Sequence, residues 1–202
     1  TGGLLKSLGT GAFLFTSESC AISDVTLDGT AYMPNDADVI LAGTINNQGT
    51  WQLASAGSGT DIALNSPIVT LAGPGKFLLG DSPANRIYSI GVNRTLVNTA
   101  THTIRGSGTV GLNNTAIVND GLIEAVGSSG LFIDIADTMS LDNNGLMRAT
   151  AGSSLTLYGS PVDNTDGEIR AEDGSQVWLR WGSMTGGLLK SLGTGAFLFT
   201  SE

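Results

Sequence analysis

Short stretches of alternating apolar and polar residues run the length of the chain, separated by Gly, Asn, Asp and Thr. Alternation of this kind places every second side chain on one face of a β-strand. Long stretches with helical spacing are absent. In the C-terminal half the strands align on one another. Ile123 and Ala125 correspond to Met147 and Ala149, then to Ile169 and Ala171, then to Leu189 and Ser191. Further along each unit, Leu131 and Ile133 correspond to Leu155 and Leu157, to Val177 and Leu179, and to Phe197 and Phe199. The spacing shortens slightly from each unit to the next but stays within the range of stacked repeat architectures. Apolar columns at that spacing predict coils stacked on one another, each burying its inward row against the coils on either side. Parallel strands need a long connection, which the rest of the coil supplies. The predicted fold is all-β: a parallel β-solenoid, right-handed by the usual preference of such crossovers.

Two phrases recur along the coils. One is a β-branched or Leu run ending in Gly, as at Val25–Gly29, Ile40–Gly43, Val69–Gly73 and Thr103–Gly106. The other is Asn, one or two residues, Gly and a strand, at Asn47, Asn119, Asn143 and Asn164. Asn119, Asn143 and Asn164 fit an amide ladder along the axis, and they equally fit turns that need left-handed backbone. Two stretches space less regularly and read as loops leaving the wall. One is residues 80–101, with Pro83, Asn85, Arg86, Tyr88, Asn93 and Arg94; the other is residues 32–38.

Residues 1–18 recur letter for letter at 185–202, so the sequence starts again at Thr185. The chain is then one solenoid period, 1–184, followed by the first coil of the next, 185–202. A natural tandem array is favoured over a copied terminus because related phrases also recur within the period. One period should hold about eight coils, or ~38 Å of axis at ~4.8 Å per coil. The inward positions Leu5, Ser7, Phe13 and Phe15 should continue the columns of Ile169, Ala171, Val177 and Leu179.

Composition narrows the partners. Only 13% of residues are charged and the net charge is −9, which argues against a nucleic-acid-binding face. With 29 Gly and only 5 Pro, and no Gly-X-Y register, neither collagen nor simple disorder fits. Cys20 is the sole cysteine, so no intrachain disulfide forms, and the residue reads as small and buried. No apolar run is long enough for a membrane-spanning helix, so membrane insertion is not expected.

Candidate chemistry is sparse, and no enzyme is expected. His102 is the single histidine, in an alternating stretch that makes it a wall residue. Asp134, Asp137 and Asp142 lie close in sequence, as the carboxyl pair of a glycan-cleaving enzyme would, but they read better as acidic turn residues. Asn35, Asp36 and Asp38 offer hard oxygen ligands for Ca²⁺ without a calcium-loop motif, so the expected cofactor is none. Outward positions say more. Glu124, Arg148, Arg170 and Lys190 form one column, with Lys6 at the Lys190 position in the repeat. Adjacent basic residues repel unless carboxylates such as Glu168 and Glu172 lie beside them. A second outward column, Phe132, Thr156, Trp178 and Leu198, with Trp181 nearby, reads as an apolar stripe for lateral contact.

The segment from Gly2 to Phe15, GGLLKSLGTGAFLF, resembles the glycine-rich strand repeats of bacterial autotransporter passengers. The phrases NDGLIEA, NNGLMRATAGSSLTLYG and DNTDGEIRAEDGSQVWL are similar to those of very large bacterial haemagglutinin-like and adhesin-like repeat proteins. The resemblance implies a secreted or surface-exposed β-helical rod that presents or spaces binding sites, and it brings no catalytic residues. The expected role is a structural repeat of an extracellular filament, stalk or sheath, self-associating end to end or continuing as a tandem chain. The alternatives are an adhesin or glycan-binding rod with recognition near 80–101, and a glycan-cleaving enzyme of tail-spike type.

Overall fold

A computed structural model describes residues 2–16, 19–91, 94–159 and 161–201. These residues form a parallel β-solenoid without helices. All strand pairings are parallel and each links one coil to the next. The coil has three faces. The second face is a 9-stranded sheet that runs from Phe13–Leu14 through Thr30–Met33 to Leu188–Ser191. The first and third faces are joined into one 15-stranded sheet. The join is made by three long strands, Cys20–Asp28, Asp38–Asn47 and Thr60–Ala72, which turn the corner from the third face to the first. Later coils break at that corner into separate strands, such as Asn85–Ser89 and Arg94–Asn98.

The corner of the long strands is built from residues that tolerate left-handed backbone. The register shifts between Ser23 and Val25 and between Leu41 and Gly43. Asp24 and Gly43 sit there at φ 51° and 64°. The Asp24 carboxylate accepts from the Thr44 amide at 2.9 Å, in the space a side chain at position 43 would occupy. A short polar side chain and a glycine therefore turn the chain without breaking the ladder.

Inward side chains stack in columns. On the second face Ile104, Ile123, Met147 and Ile169 pair in sequence, with Ala125, Ala149 and Ala171 two residues on. On the third face Leu131, Leu155 and Val177 form one column and Ile133, Leu157 and Leu179 another. All of these are buried. The first face adds Leu27, Ile45, Leu71, Leu96, Ile117 and Leu141. Large rings fill the early coils: Phe15, Trp51, Phe77 and His102 follow one another with centroids 5.1, 5.5 and 5.2 Å apart.

The core expected of Leu189, Phe197 and Phe199 is corrected by the end coil. Each holds its column position, over Ile169, Val177 and Leu179. Leu189 is nevertheless 39% exposed and Phe199 62%, and Phe197 is half-buried. A coil with a neighbour on one side covers only half of its inward row.

Among the described residues, the two irregular stretches are wall strands and the turns between them. Residues 85–89 and 94–98 are ordinary strands of the third and first faces; Asn93 lies outside the described residues. Residues 34–37 make a tight turn between two strands, with Asp36 at φ 67°. Pro83 and Pro34 fall in these turns, where a missing amide donor costs nothing.

The two identical segments occupy different faces. Gly3–Lys6 lies on the first face against residues 25–28, and Phe13–Leu14 on the second. In the C-terminal copy Leu188–Ser191 lies on the second face and Ala196–Thr200 on the third. Lys6 and Lys190 therefore do not share a face, because the period is not a whole number of coils.

Leu157 is fully buried between Ile133 and Leu179, with Thr156 on the opposite side of the same strand. Leu157→Ala is expected to lower the unfolding free energy by about 2–5 kcal/mol. Thr156→Ala should change it by less than about 0.5 kcal/mol. Urea titrations of the two variants check this; equal effects would sink the assignment of the faces.

Candidate functional site

Two polar chains run along the solenoid axis, one buried and one on the outer wall. The buried chain is made of amides. Asn98 Nδ2 donates to Asn119 Oδ1, Asn119 to Asn143 and Asn143 to Asn164, each at 2.7 Å. All four side chains are fully buried. Each amide has a donor and an acceptor, so a file of them satisfies itself in one direction without water.

The file does not end at Asn98. His102 Nδ1 meets Asn98 Oδ1 at 2.8 Å, and its Nε2 meets Asn47 Nδ2 at 3.2 Å. Asn98 and Asn47 are two coils apart on the first face, and the coil between them sets Leu71 beside Asn98 and Ala72 beside Asn46, so no amide side chain intervenes. The imidazole supplies the missing rung. A Cβ at Gly75 would lie 2.6 Å from the Asn47 side chain, so glycine there keeps the rung open. The partners assign the tautomer: Nδ1–H donates to Asn98 and Nε2 accepts from Asn47. His102 is thus a buried turn residue rather than a wall residue, 1% exposed, and burial pushes its pKa down to about 4.

The second chain is ionic and lies on the outside of the second face. Glu124 sits between Arg105 and Arg148 in the outward column. Its side chain is only 3% exposed. It accepts from Arg105 Nη1 on one oxygen, and Arg148 Nη2 lies 2.7 Å from the other. Arg170 is held by Glu168 at 2.6 Å and Glu172 at 3.2 Å, with Arg148 3.8 Å from Glu172. The Glu168 carboxylate, more than any other group, raises the pKa of Arg170. Arg148 and Arg170 are stacked directly, and carboxylates flank them: Glu124 before Arg148, and Glu168 and Glu172 beside Arg170. Lys190, next in the column, has no carboxylate within ion-pair distance among the described residues, whereas Lys6 reaches Asp28 at 2.6 Å.

A third cluster lies on the third face. Arg86 grips Asp61 with two bonds, at 2.7 and 2.5 Å, and the Tyr88 hydroxyl donates to the same carboxylate at 3.3 Å. Asp38 is next in the column, and burial together with the Asp61 charge raises its pKa. The group escapes a sequence reading because its members sit one coil apart, with Arg86 and Tyr88 inside the stretch that reads as a loop.

The remaining candidates are scattered. Asp134 ends a strand of the third face and Asp142 lies outward on the first, while Asp137 is in the turn between them. Burial raises the pKa of Asp134, and the Asp137 charge adds to it. Asn35 Oδ1 accepts from the amides of Ala56 and Ser58 at 2.7 and 3.0 Å, so that oxygen is engaged by backbone. Among the described residues no three His, Cys, Asp or Glu side chains gather as a metal site would require. Cys20 points inward and is half-buried.

The expected apolar stripe is interrupted. Phe132, Thr156, Trp178 and Leu198 do line one outward column of the third face. Phe132 packs on Tyr158 at 5.4 Å, the Arg180 guanidinium covers the Trp178 ring at 4.7 Å, and Trp178 Nε1 donates to Gln176. Phe132 is thus packed by a ring from the next coil and Trp178 by residues of its own strand. Trp181, at φ 57°, is 59% exposed.

Comparison with protein-family models, curated proteins and solved structures finds no match. What the residues themselves do is bind one coil to the next. Both polar chains and every apolar column run in that one direction.

Each polar chain has a measurable consequence. The folded protein keeps His102 neutral to about pH 4, whereas the unfolded chain protonates it near pH 6.5. Stability is complete above about pH 6.5 and falls as the unfolded state gains its proton, by about 2 kcal/mol between pH 6.5 and 5. Urea titrations across that window should show the loss in the native protein and not in His102→Gln. Glu124→Gln leaves Arg105 and Arg148 facing each other over a neutral group. It should cost about 1–3 kcal/mol, less than a fully buried pair because the two arginines are partly exposed. The difference should shrink in 1 M salt, where the Debye length is about 3 Å; a difference that salt leaves unchanged would count against the ionic origin.

Proposed function

We propose that this chain is a structural repeat of a long β-solenoid rod that serves outside the cell as a filament, stalk or sheath. The observation that carries this reading is the common direction of the strand pairings, the apolar columns and the buried amide file. The amide file and the Arg105–Glu124–Arg148 pairs join coil to coil along the same axis as the strands. Such a molecule gains stability by adding coils rather than by closing a globule. The acidic composition suits a soluble polymer, and the resemblance to bacterial repeat adhesins favours the surface. No helix among the described residues is long and apolar enough to cross a membrane.

A glycan-binding or adhesin rod is the second reading, and the described residues it would use near 80–101 lie on wall strands 85–89 and 94–98 and the turns beside them. The nine coils correspond to ~43 Å of axis at ~4.8 Å per coil, a length fit for spacing. Immunogold labelling of the native cells with antibodies to residues 20–180 tests the proposal. Gold along surface fibres is the expected result; label confined to the cytoplasm would overturn it.

A further inference from the structure

The twice-written segment is seen from both sides. In the C-terminal copy the structure shows what lies on its near side. Leu188, Leu189, Lys190 and Ser191 pair with Glu168, Ile169, Arg170 and Ala171, while Phe197 and Leu198 pair with Val177 and Trp178. The N-terminal copy shows the far side. Gly3, Leu5 and Lys6 pair with Val25, Leu27 and Asp28, while Phe13 and Leu14 pair with Ala31 and Tyr32. Leu189 and Leu5 are the same residue of the repeat, as are Phe197 and Phe13. The two sets of contacts use opposite edges of the same strands, so one coil can make both at once.

Each contact missing from one copy is present in the other. Phe199 is 62% exposed, and its equivalent Phe15 stacks on Trp51 at 5.1 Å. Among the described residues Lys190 stands beside Arg170 with no carboxylate, and its equivalent Lys6 pairs with Asp28. On the remaining side, residues 20–23 would follow Met184–Thr185, and Cys20, Ile22 and Met184 are the half-buried apolar residues those two strands present to the core.

We propose that successive periods of the chain share this coil, and that each period is therefore turned by one face, a third of a turn, relative to the one before. The segment opens on the first face of the first coil and reopens on the second face of the ninth. A period is thus eight coils and one face, ~40 Å along the axis at ~4.8 Å per coil. The same residues return to the same side after three periods, ~120 Å on. A surface group such as Asp61–Arg86–Tyr88 is then shown to all three sides of the rod in turn. The ionic column closes as well: in the shared coil the lysine lies between Arg170 and Asp28.

The inference rests on the reading of the chain as a tandem rod, and two measurements separate them. A chain of three consecutive periods is compared with the 202-residue protein. Maleimide labelling under native conditions reads the joint: the first-period Cys20 should react at least tenfold faster than the equivalent cysteines of the second and third periods, which the joint covers. Equal rates, or a chain that fails to fold where the 202-residue protein folds, overturn the shared coil and the continuous rod together. Cryo-electron microscopy reads the rotation. Trp178 and its two equivalents on three different faces support the proposal; all three on one face overturn the one-face step and leave the rod standing.

Discussion

In-register stacking is the constraint on which this molecule depends. A coil has no core of its own. Its inward side chains are covered by the matching positions one coil before and one coil after, and its strands find their hydrogen bonds in the same two places. The burial of Leu155 and Leu157 in mid-stack, against the exposure of Phe199 at its edge, measures that dependence directly. Any side chain in an inward column must therefore suit two neighbours at once, as when Ala31 leaves room beside Trp51 for Phe15 to stack on its ring.

The same rule governs polar groups. A buried amide is costly unless both its donor and its acceptor are engaged. The stack solves this by repeating the amide, so that Asn119 and Asn143 each donate one way and accept the other. Where a coil cannot supply an asparagine, a neutral imidazole takes the place, since it too has one donor and one acceptor. On the outer wall Glu124 stands between Arg105 and Arg148, so that neither faces the other across the column. Asp81 does similar work at a corner. Its carboxylate accepts from the Ser129 and Ser128 amides and the Ser128 hydroxyl two coils away, which holds its pKa far below the usual carboxylate range.

Stacking also explains why corners vary while faces do not. Between faces the chain is free to bend within one strand, as at Asp24 and Gly43, or to break with a turn, as at Pro83. Each choice changes the residue count per coil without disturbing the columns. Hence the irregular spacing of residues 80–101 accompanies regular wall strands, and hence a period counted in residues need not be a whole number of coils.

Periodicity alone settles the strand faces and the coil spacing of the C-terminal half, because alternation and near-constant separation leave one register in which the apolar residues meet. The Asn119, Asn143 and Asn164 file is visible for the same reason. The remainder is decided in three dimensions. Glu124, already beside Arg148 by spacing, is met also by Arg105 from the coil before, and His102 reaches back past a whole coil to Asn47. No local pattern marks those meetings, since they depend on which corners bend and which break. The face on which the duplicated segment lies is of the same kind. The letters that begin at Thr1 return at Thr185, but the number of corners turned between them is a property of the folded stack. The chain chemistry dictates that coils must stack; the accumulated turns dictate which side each residue shows.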